Sequence, residues 1–242
     1  MTVAEKLTRI AENEQRVFDA GKKAEYNAFW DAYQQNGARV NYSSAFGAPW
    51  TTETFRPKYS MRPITALMMF RECGARVDLV EHLAALGVTL DFSRATNLQY
   101  LFQNSVFTRV GVIDMSGCTT SQPGYALFAY CATLKTIDRI VLKTGSGGEF
   151  SADAFNNCSS LENLTLEGNL TRDVYLNWST KLSRNSIENV INCAKGGVMD
   201  SGGAPSITLS QTAVLAAYGS MEAFEDFLNS GGVIDPPYIN LV

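Results

Sequence analysis

Leu127-Phe-Ala-Tyr-Cys-Ala-Thr-Leu-Lys-Thr-Ile137 and Ala154-Phe-Asn-Asn-Cys-Ser-Ser-Leu-Glu-Asn-Leu-Thr-Leu166 are two versions of one phrase. Each carries Phe, then Cys, then Leu at steps of three, and runs on into apolar residues of strand type. Phe70-Arg-Glu-Cys73 and Phe102-Gln-Asn-Ser105 repeat its first half, and the four Phe residues are spaced 32, 26 and 27 apart. A period in this range marks supersecondary units that stack because none can bury its apolar face alone. The expected fold is α/β: a solenoid with a mostly parallel sheet on one side and short helices or turns on the other.

Strand-like segments lie between the Phe turns. Leu90-Asp-Phe-Ser-Arg-Ala-Thr96 matches Ile113-Asp-Met-Ser-Gly-Cys-Thr119, and Ile140-Val-Leu142, Leu164-Thr-Leu166, Ile207-Thr-Leu209 and Ile239-Asn-Leu241 are shorter versions. In each, two apolar residues flank one that must point the other way. The six central residues are Asp91, Asp114, Val141, Thr165, Thr208 and Asn240. If all six strands join one sheet, these residues form one row on its open face, a candidate surface for a peptide or glycan. A solvated face without a ligand is the plainer alternative.

Helices are expected at Thr65 to Arg71, at Val77 to Leu86 before Gly87, at Ser186 to Ala194, and from Gln211 to a break near Gly219. The N-terminal stretch, residues 1–35, reads as a helix with Val3, Leu7, Ile10 and Val17 on a heptad seam interrupted by Glu14 and Gly21. That seam is a candidate for oligomerisation, a trimer if the helix coils, or for packing on the body of the same chain. Residues 36–64 form an aromatic, proline-punctuated cap, 65–180 the irregular repeats and 181–242 a C-terminal repeat and cap with helices.

The phrase resembles the repeat of BspA-like leucine-rich repeat proteins, roughly A-F-x-x-C-x-x-L-x-x-I-x-I, over about residues 65 to 170. The copies at Phe70 and Phe102 depart from it, because Leu is missing six residues on. With Lys22-Lys-Ala-Glu-Tyr-Asn-Ala-Phe-Trp-Asp-Ala-Tyr33, Asn41-Tyr-Ser43 and Thr136-Ile-Asp-Arg-Ile-Val-Leu142, the layout also resembles leucine-rich repeat proteins encoded by phages and prophages of gut bacteria. These resemblances imply surface recognition: adhesion for the broad family, tail or baseplate attachment for phage members. Neither defines functional residues to carry over.

Composition narrows the chemistry. The chain has 242 residues, 45% apolar and 18% charged, with a net charge of −4. No clustered excess of Lys and Arg offers a phosphate-binding surface, so nucleic acid is not an expected partner. No apolar run approaches the length of a membrane span, and Met1-Thr-Val-Ala-Glu-Lys-Leu7 has no apolar signal core. A virion protein made in the host cytoplasm and released by lysis fits that start; display on a bacterial cell surface is the alternative.

Five cysteines are an odd number, and Cys73, Cys131 and Cys158 occupy one repeat position. Stacked buried thiols are expected, with no disulfide framework and, given a single His, no zinc site. His82 is the first candidate for a general base, but has no nucleophile in a recognisable setting. Glu81 beside His82, and the group Asp138, Glu162 and Glu167, could supply paired carboxylates to a glycoside hydrolase. All are equally ordinary on a solvated face. Gly145-Ser-Gly-Gly148 lacks the Lys-Ser/Thr of a phosphate loop, and Asp200-Ser-Gly-Gly203 lacks calcium-loop spacing.

Trp50, Tyr125, Tyr130 and Trp178 are candidate contact anchors. The expected function is therefore non-enzymatic and without cofactor: recognition of a protein or glycan on a bacterial surface, or contact with other virion proteins. A purely structural virion or scaffold component is the alternative, and a polysaccharide hydrolase a distant third.

Overall fold

The computed structural model describes residues 44–47, 50–57, 60–143, 149–199, 202–230 and 238–242. The expected helix over residues 1–35, with Val3, Leu7, Ile10 and Val17, lies outside them, as do Gly145 to Gly148 and Gly231-Gly232. The architecture is α/β, with parallel sheets and short helices.

The Phe phrase builds the core. Phe46, Phe70, Phe102, Phe128 and Phe155 are all buried and lie one over the next, with successive ring centroids 5.2, 5.2, 5.4 and 5.8 Å apart. The two central pairs are parallel to within 3°. Each unit supplies one ring, so the period of the sequence becomes a period in space.

The backbone around each Phe is a run of turns. Met68, Phe70 and Glu72 send their N–H groups to the carbonyls of Gln99, Leu101 and Gln103 in the next unit, at 2.9, 2.8 and 2.8 Å. The intervening Met69, Arg71 and Cys73 donate to Ala66, Met68 and Phe70 in their own unit. Tyr100, Phe102 and Asn104 repeat the pattern onto Tyr125, Leu127 and Ala129. Sending every second N–H sideways requires the chain to alternate its handedness. Met68 (φ 56°), Glu72 (61°), Tyr100 (56°), Asn104 (55°), Ala126 (47°) and Tyr130 (65°) are accordingly left-handed. Such residues cost about 1–2 kcal/mol each without glycine, and the inter-unit bonds offset that cost. The helix expected at Thr65 to Arg71 is therefore not formed: a helix would turn every N–H along its own axis.

The opposite wall is a sheet. β1 (Arg109–Asp114), β2 (Thr136–Val141) and β3 (Asn163–Glu167) pair in parallel in that order. Val110 and Ile113, Ile137 and Ile140, and Leu164 and Leu166 point into the core. Two residues separate the inward pair on β1 and β2, but one on β3, and a register shift between Ile137 and Ile140 absorbs the difference.

β4 (Val174–Leu176), β5 (Ile207–Leu209) and β6 (Ile239–Leu241) form a second parallel sheet. The expectation that Ile207–Leu209 and Ile239–Leu241 extend the first sheet is thus corrected. Asn189 accepts from the Leu166 N–H and donates to its carbonyl, at 2.6 and 3.1 Å, and Ser186 accepts from the Leu164 N–H at 2.9 Å. These side chains of the helix 184–195 occupy the hydrogen-bonding edge of β3, so no fourth strand can join there.

The helices follow their capping residues. α1 (Leu79–Ala85) starts where Asp78 accepts from the Glu81 N–H, and Gly87 (φ 68°) follows its end. α2 (Arg184–Lys195) is capped by Ser183 and buries Ile187, Val190, Ile191 and Ala194. α3 (Gln211–Tyr218) ends at left-handed Gly219, the expected break, and α4 (Met221–Ser230) follows. Arg184 sits 4.6 Å from the Tyr218 ring centre and bonds Glu188 at 2.7 Å, fastening α3 to α2.

Candidate recognition surfaces

The six residues expected in one row fall into separate groups. Asp114 and Val141 are register partners, but Val141 pairs on with Glu167 rather than Thr165, because of the shift in β2. Thr208 and Asn240 are partners in the second sheet, where Tyr175 completes their line. Asp91 follows Leu90, which bridges to Met61 outside both sheets.

Asp91 and Asp114 also have local work. Each accepts the N–H of the Ser two residues on at 2.9 Å, the shared turn of their Asp-x-Ser phrase. Hydrogen bonds from Ser93 hold the Asp91 carboxyl below its ordinary range against some desolvation, and Arg62 at 2.8 Å adds to the effect.

The open face of the first sheet is a web of ion pairs. Arg109 spans Asp138, through bonds of 2.7 and 3.0 Å, and Asp78 at 3.6 Å. Arg139 meets Glu167 at 2.8 Å. The carboxylates Asp138 and Glu167, considered for acid–base work, are thus each held by an arginine.

The second sheet borders a groove of about 410 Å³. Gln122, Ser151, Thr171, Arg172, Asp173 and Tyr175 are among the residues that line it. Tyr175 is 36% exposed, and Trp178, just beyond β4, is 49% exposed. Thr171 is held by Glu149, fully buried, whose two oxygens take the Thr171 N–H at 3.1 Å and hydroxyl at 3.0 Å. Desolvation raises the Glu149 carboxyl above its usual range, and the Thr171 bonds partly oppose that. Aromatic faces beside polar side chains in an open groove suit a ligand with both apolar and hydroxyl-rich or amide-rich faces.

Sequence reasoning missed this groove, since its residues come from four separate segments. Val174-Tyr-Leu176 does carry the apolar alternation of the other strands, and that signal could have placed Tyr175 on a face. Of the four aromatic anchors, Trp178 and Tyr130 are exposed, at 49% and 51%. Tyr125 packs on Tyr100, with centroids 5.1 Å apart, and Trp50 packs against the core.

The nucleophile and base candidates are engaged elsewhere. His82 stacks on Phe55 at 5.5 Å, and its Nε2 bonds the Phe55 carbonyl at 2.6 Å. All five cysteines are buried and unlinked. Cys131 and Cys158 donate to the Phe102 and Phe128 carbonyls of the preceding unit, at 2.9 and 3.1 Å. Burial pushes the thiols of Cys73, Cys131 and Cys193 up to about 11, that of Cys118 to about 12, and that of Cys158 well above the ordinary value. The thiolate needed for nucleophilic attack is therefore scarce.

Among the described residues no group of three or more His, Cys, Asp or Glu side chains is arranged to hold a metal ion, and no helix is long and apolar enough to cross a membrane. No family model, no curated protein and no solved structure matches this chain.

Proposed function

We propose that this chain is a non-enzymatic recognition protein built as a leucine-rich-repeat solenoid of the BspA type. Its contact surface is the groove and outer face at β4 to β6, and its ligand a protein or glycan on a bacterial surface. A place in a phage tail or on a cell surface fits that task. The observation that carries the reading is the register Tyr175–Thr208–Asn240, which sets two polar residues in line with an aromatic ring that itself lines the groove. The ring ladder and the inter-unit hydrogen bonds support the repeat architecture, since stacking of this kind yields a rigid extended surface.

The test is a display of bacterial surface glycans and proteins probed with the whole chain, with Tyr175→Ala and with Asp173→Ala. A reproducible binder weakened by Tyr175→Ala supports the reading. Binding unaffected by both substitutions, or no binder at all, would sink it.

A further inference from the structure

A column of backbone pairing runs along the stack and breaks beyond Phe150. Thr65 bridges to Asn97 and Gly124 to Phe150, both in parallel, and between them Tyr100 donates its N–H to the Tyr125 carbonyl at 2.8 Å. The next unit contributes β4, which pairs on with β5 and β6. Yet among the described residues no backbone hydrogen bond joins residues 149–152 to residues 171–176. The Glu149 carboxylate makes the junction instead, through the Thr171 N–H and hydroxyl. The groove of about 410 Å³ opens at this break, lined by Phe150, Ser151 and Ala152 together with Thr171, Asp173 and Tyr175.

β4 is consequently an edge strand with unused donors and acceptors. In a parallel ladder a residue sends both backbone groups to one side, and its neighbours send theirs to the other. Val174 donates to the Ser206 carbonyl at 3.0 Å, so Val174 and Leu176 face β5. The N–H and carbonyl of Tyr175 therefore point off the edge, and neither is in a hydrogen bond with a described residue. Unpaired groups on a sheet edge are a template for another chain.

The side chains around the edge narrow the partner. Asp173 gives one carboxylate oxygen to the Ser206 N–H at 2.7 Å. Arg172 also lines the groove and, among the described residues, meets no carboxylate within ion-pair reach. An acidic residue on an incoming chain suits it. Phe150, Ala152 and Met199 add apolar surface for neighbouring side chains.

We infer that an extended peptide segment of a partner protein docks here as an added strand on β4, bonded to the N–H and carbonyl of Tyr175, with an acidic residue near Arg172. The inference rests on the reading of this groove as the contact surface and narrows its ligand from protein or glycan to peptide. A glycan has no backbone repeat to match a strand edge. A peptide gains main-chain bonds for affinity and places alternate side chains for specificity.

Panning the whole chain against displayed linear peptides of about nine residues, within the range of natural strands, tests it. The strongest peptide is then made with an N-methyl group at each position in turn. Methylation weakens binding about tenfold at alternate positions only, because a strand sends every second N–H to its neighbour. On the protein, Tyr175→Pro removes the outward N–H and leaves the bonds of Val174 and Leu176 to β5, a change that edge strands tolerate. It binds about threefold to tenfold more weakly than Tyr175→Ala, which loses the ring but keeps the N–H. Replacing the acidic residue of the peptide by its amide weakens binding to the parent chain and not to Arg172→Gln. No enriched peptide, methylation effects without alternation, or a peptide indifferent to the Tyr175 and Arg172 substitutions would overturn the inference. A glycan bound through Tyr175 with no peptide selected would overturn it too, while leaving the groove as the contact surface; loss of both ligands would remove the groove as well.

Discussion

Removing one ring from the middle of the Phe ladder should cost more than removing the same apolar volume elsewhere. Phe102 is fully buried, with parallel rings on both sides, Phe70 at 5.2 Å and Phe128 at 5.4 Å, and Phe107 edge-on at 5.9 Å. Phe→Ala in a core costs about 3–5 kcal/mol from lost transfer and the cavity left behind. Each aromatic pair adds about 0.5–1.5 kcal/mol beyond its area. Phe102→Leu separates the two effects: it keeps most of the volume and deletes the ring contacts, so it should cost about 1–3 kcal/mol. Against a total stability of about 5–15 kcal/mol, Phe102→Ala should shift the urea midpoint by a large fraction. A double-mutant cycle is the sharper readout. Phe70→Leu with Phe102→Leu should show coupling of at least about 0.5 kcal/mol, because the rings touch. Phe46→Leu with Phe128→Leu, two rungs of the same ladder separated by others, should add independently. Equal coupling in both cycles would refute the claim that nearest-neighbour stacking holds the units together.

Three further outcomes follow from the packing and titration. Native thiols keep their protons up to about pH 11 at Cys73, Cys131 and Cys193, while unfolded thiols lose theirs near 9. Unfolding therefore releases protons in that window, and stability falls as pH rises. The urea midpoint should drop between these pH values, less so in Cys131→Ala; a flat midpoint would contradict it. Glu149, raised by burial, should make the native state gain stability as pH falls from neutral toward the ordinary carboxylate range. Subtracting the melting profile of Glu149→Gln should isolate that slope, and an identical profile would remove it. At Gly197 an added Cβ runs into the Leu170 carbonyl oxygen. Gly197→Ala should therefore cost at or above the upper end of about 1–3 kcal/mol as an overpacked site against backbone, compared with about 1–2 kcal/mol for an Ala at Gly202, where nothing lies near and the left-handed φ of 80° alone is strained. Comparable losses would show that the close approach is relieved elsewhere.

The repeat was legible because it is carried by side chains that must be buried. Phe, Cys and Leu at fixed steps can only mean a recurring inward direction, and each of those Phe residues stacks on its neighbour. The helix expected at Thr65 to Arg71 failed because periodicity does not reveal where the N–H groups go. Left-handed Met68 and Glu72 have no sequence signature of the kind that glycine would provide. The single row of six residues failed twice over. The extra residue within β2 shifts the register by a position that apolar pairs alone do not report, and Asn189 and Ser186 end the first sheet from a helix distant in sequence. The groove was invisible for a related reason. Gln122, Ser151 and Tyr175 meet only when three units are stacked. The thiols carry a job that composition understates: they are small and buried, and two of them also donate to the carbonyl of the preceding ladder Phe.

The central proposal is recognition through the sides of the stack rather than assembly through its ends, and hydrogen–deuterium exchange with and without a binder selected from surface glycans and proteins tests it most directly. Added protection should appear over residues 171–176, around Tyr175 in the groove, and over residues 207–209, around its register partner Thr208. Protection confined to residues 50–57 and 221–230, the two ends, would contradict it and mark the chain as a structural component of an assembly.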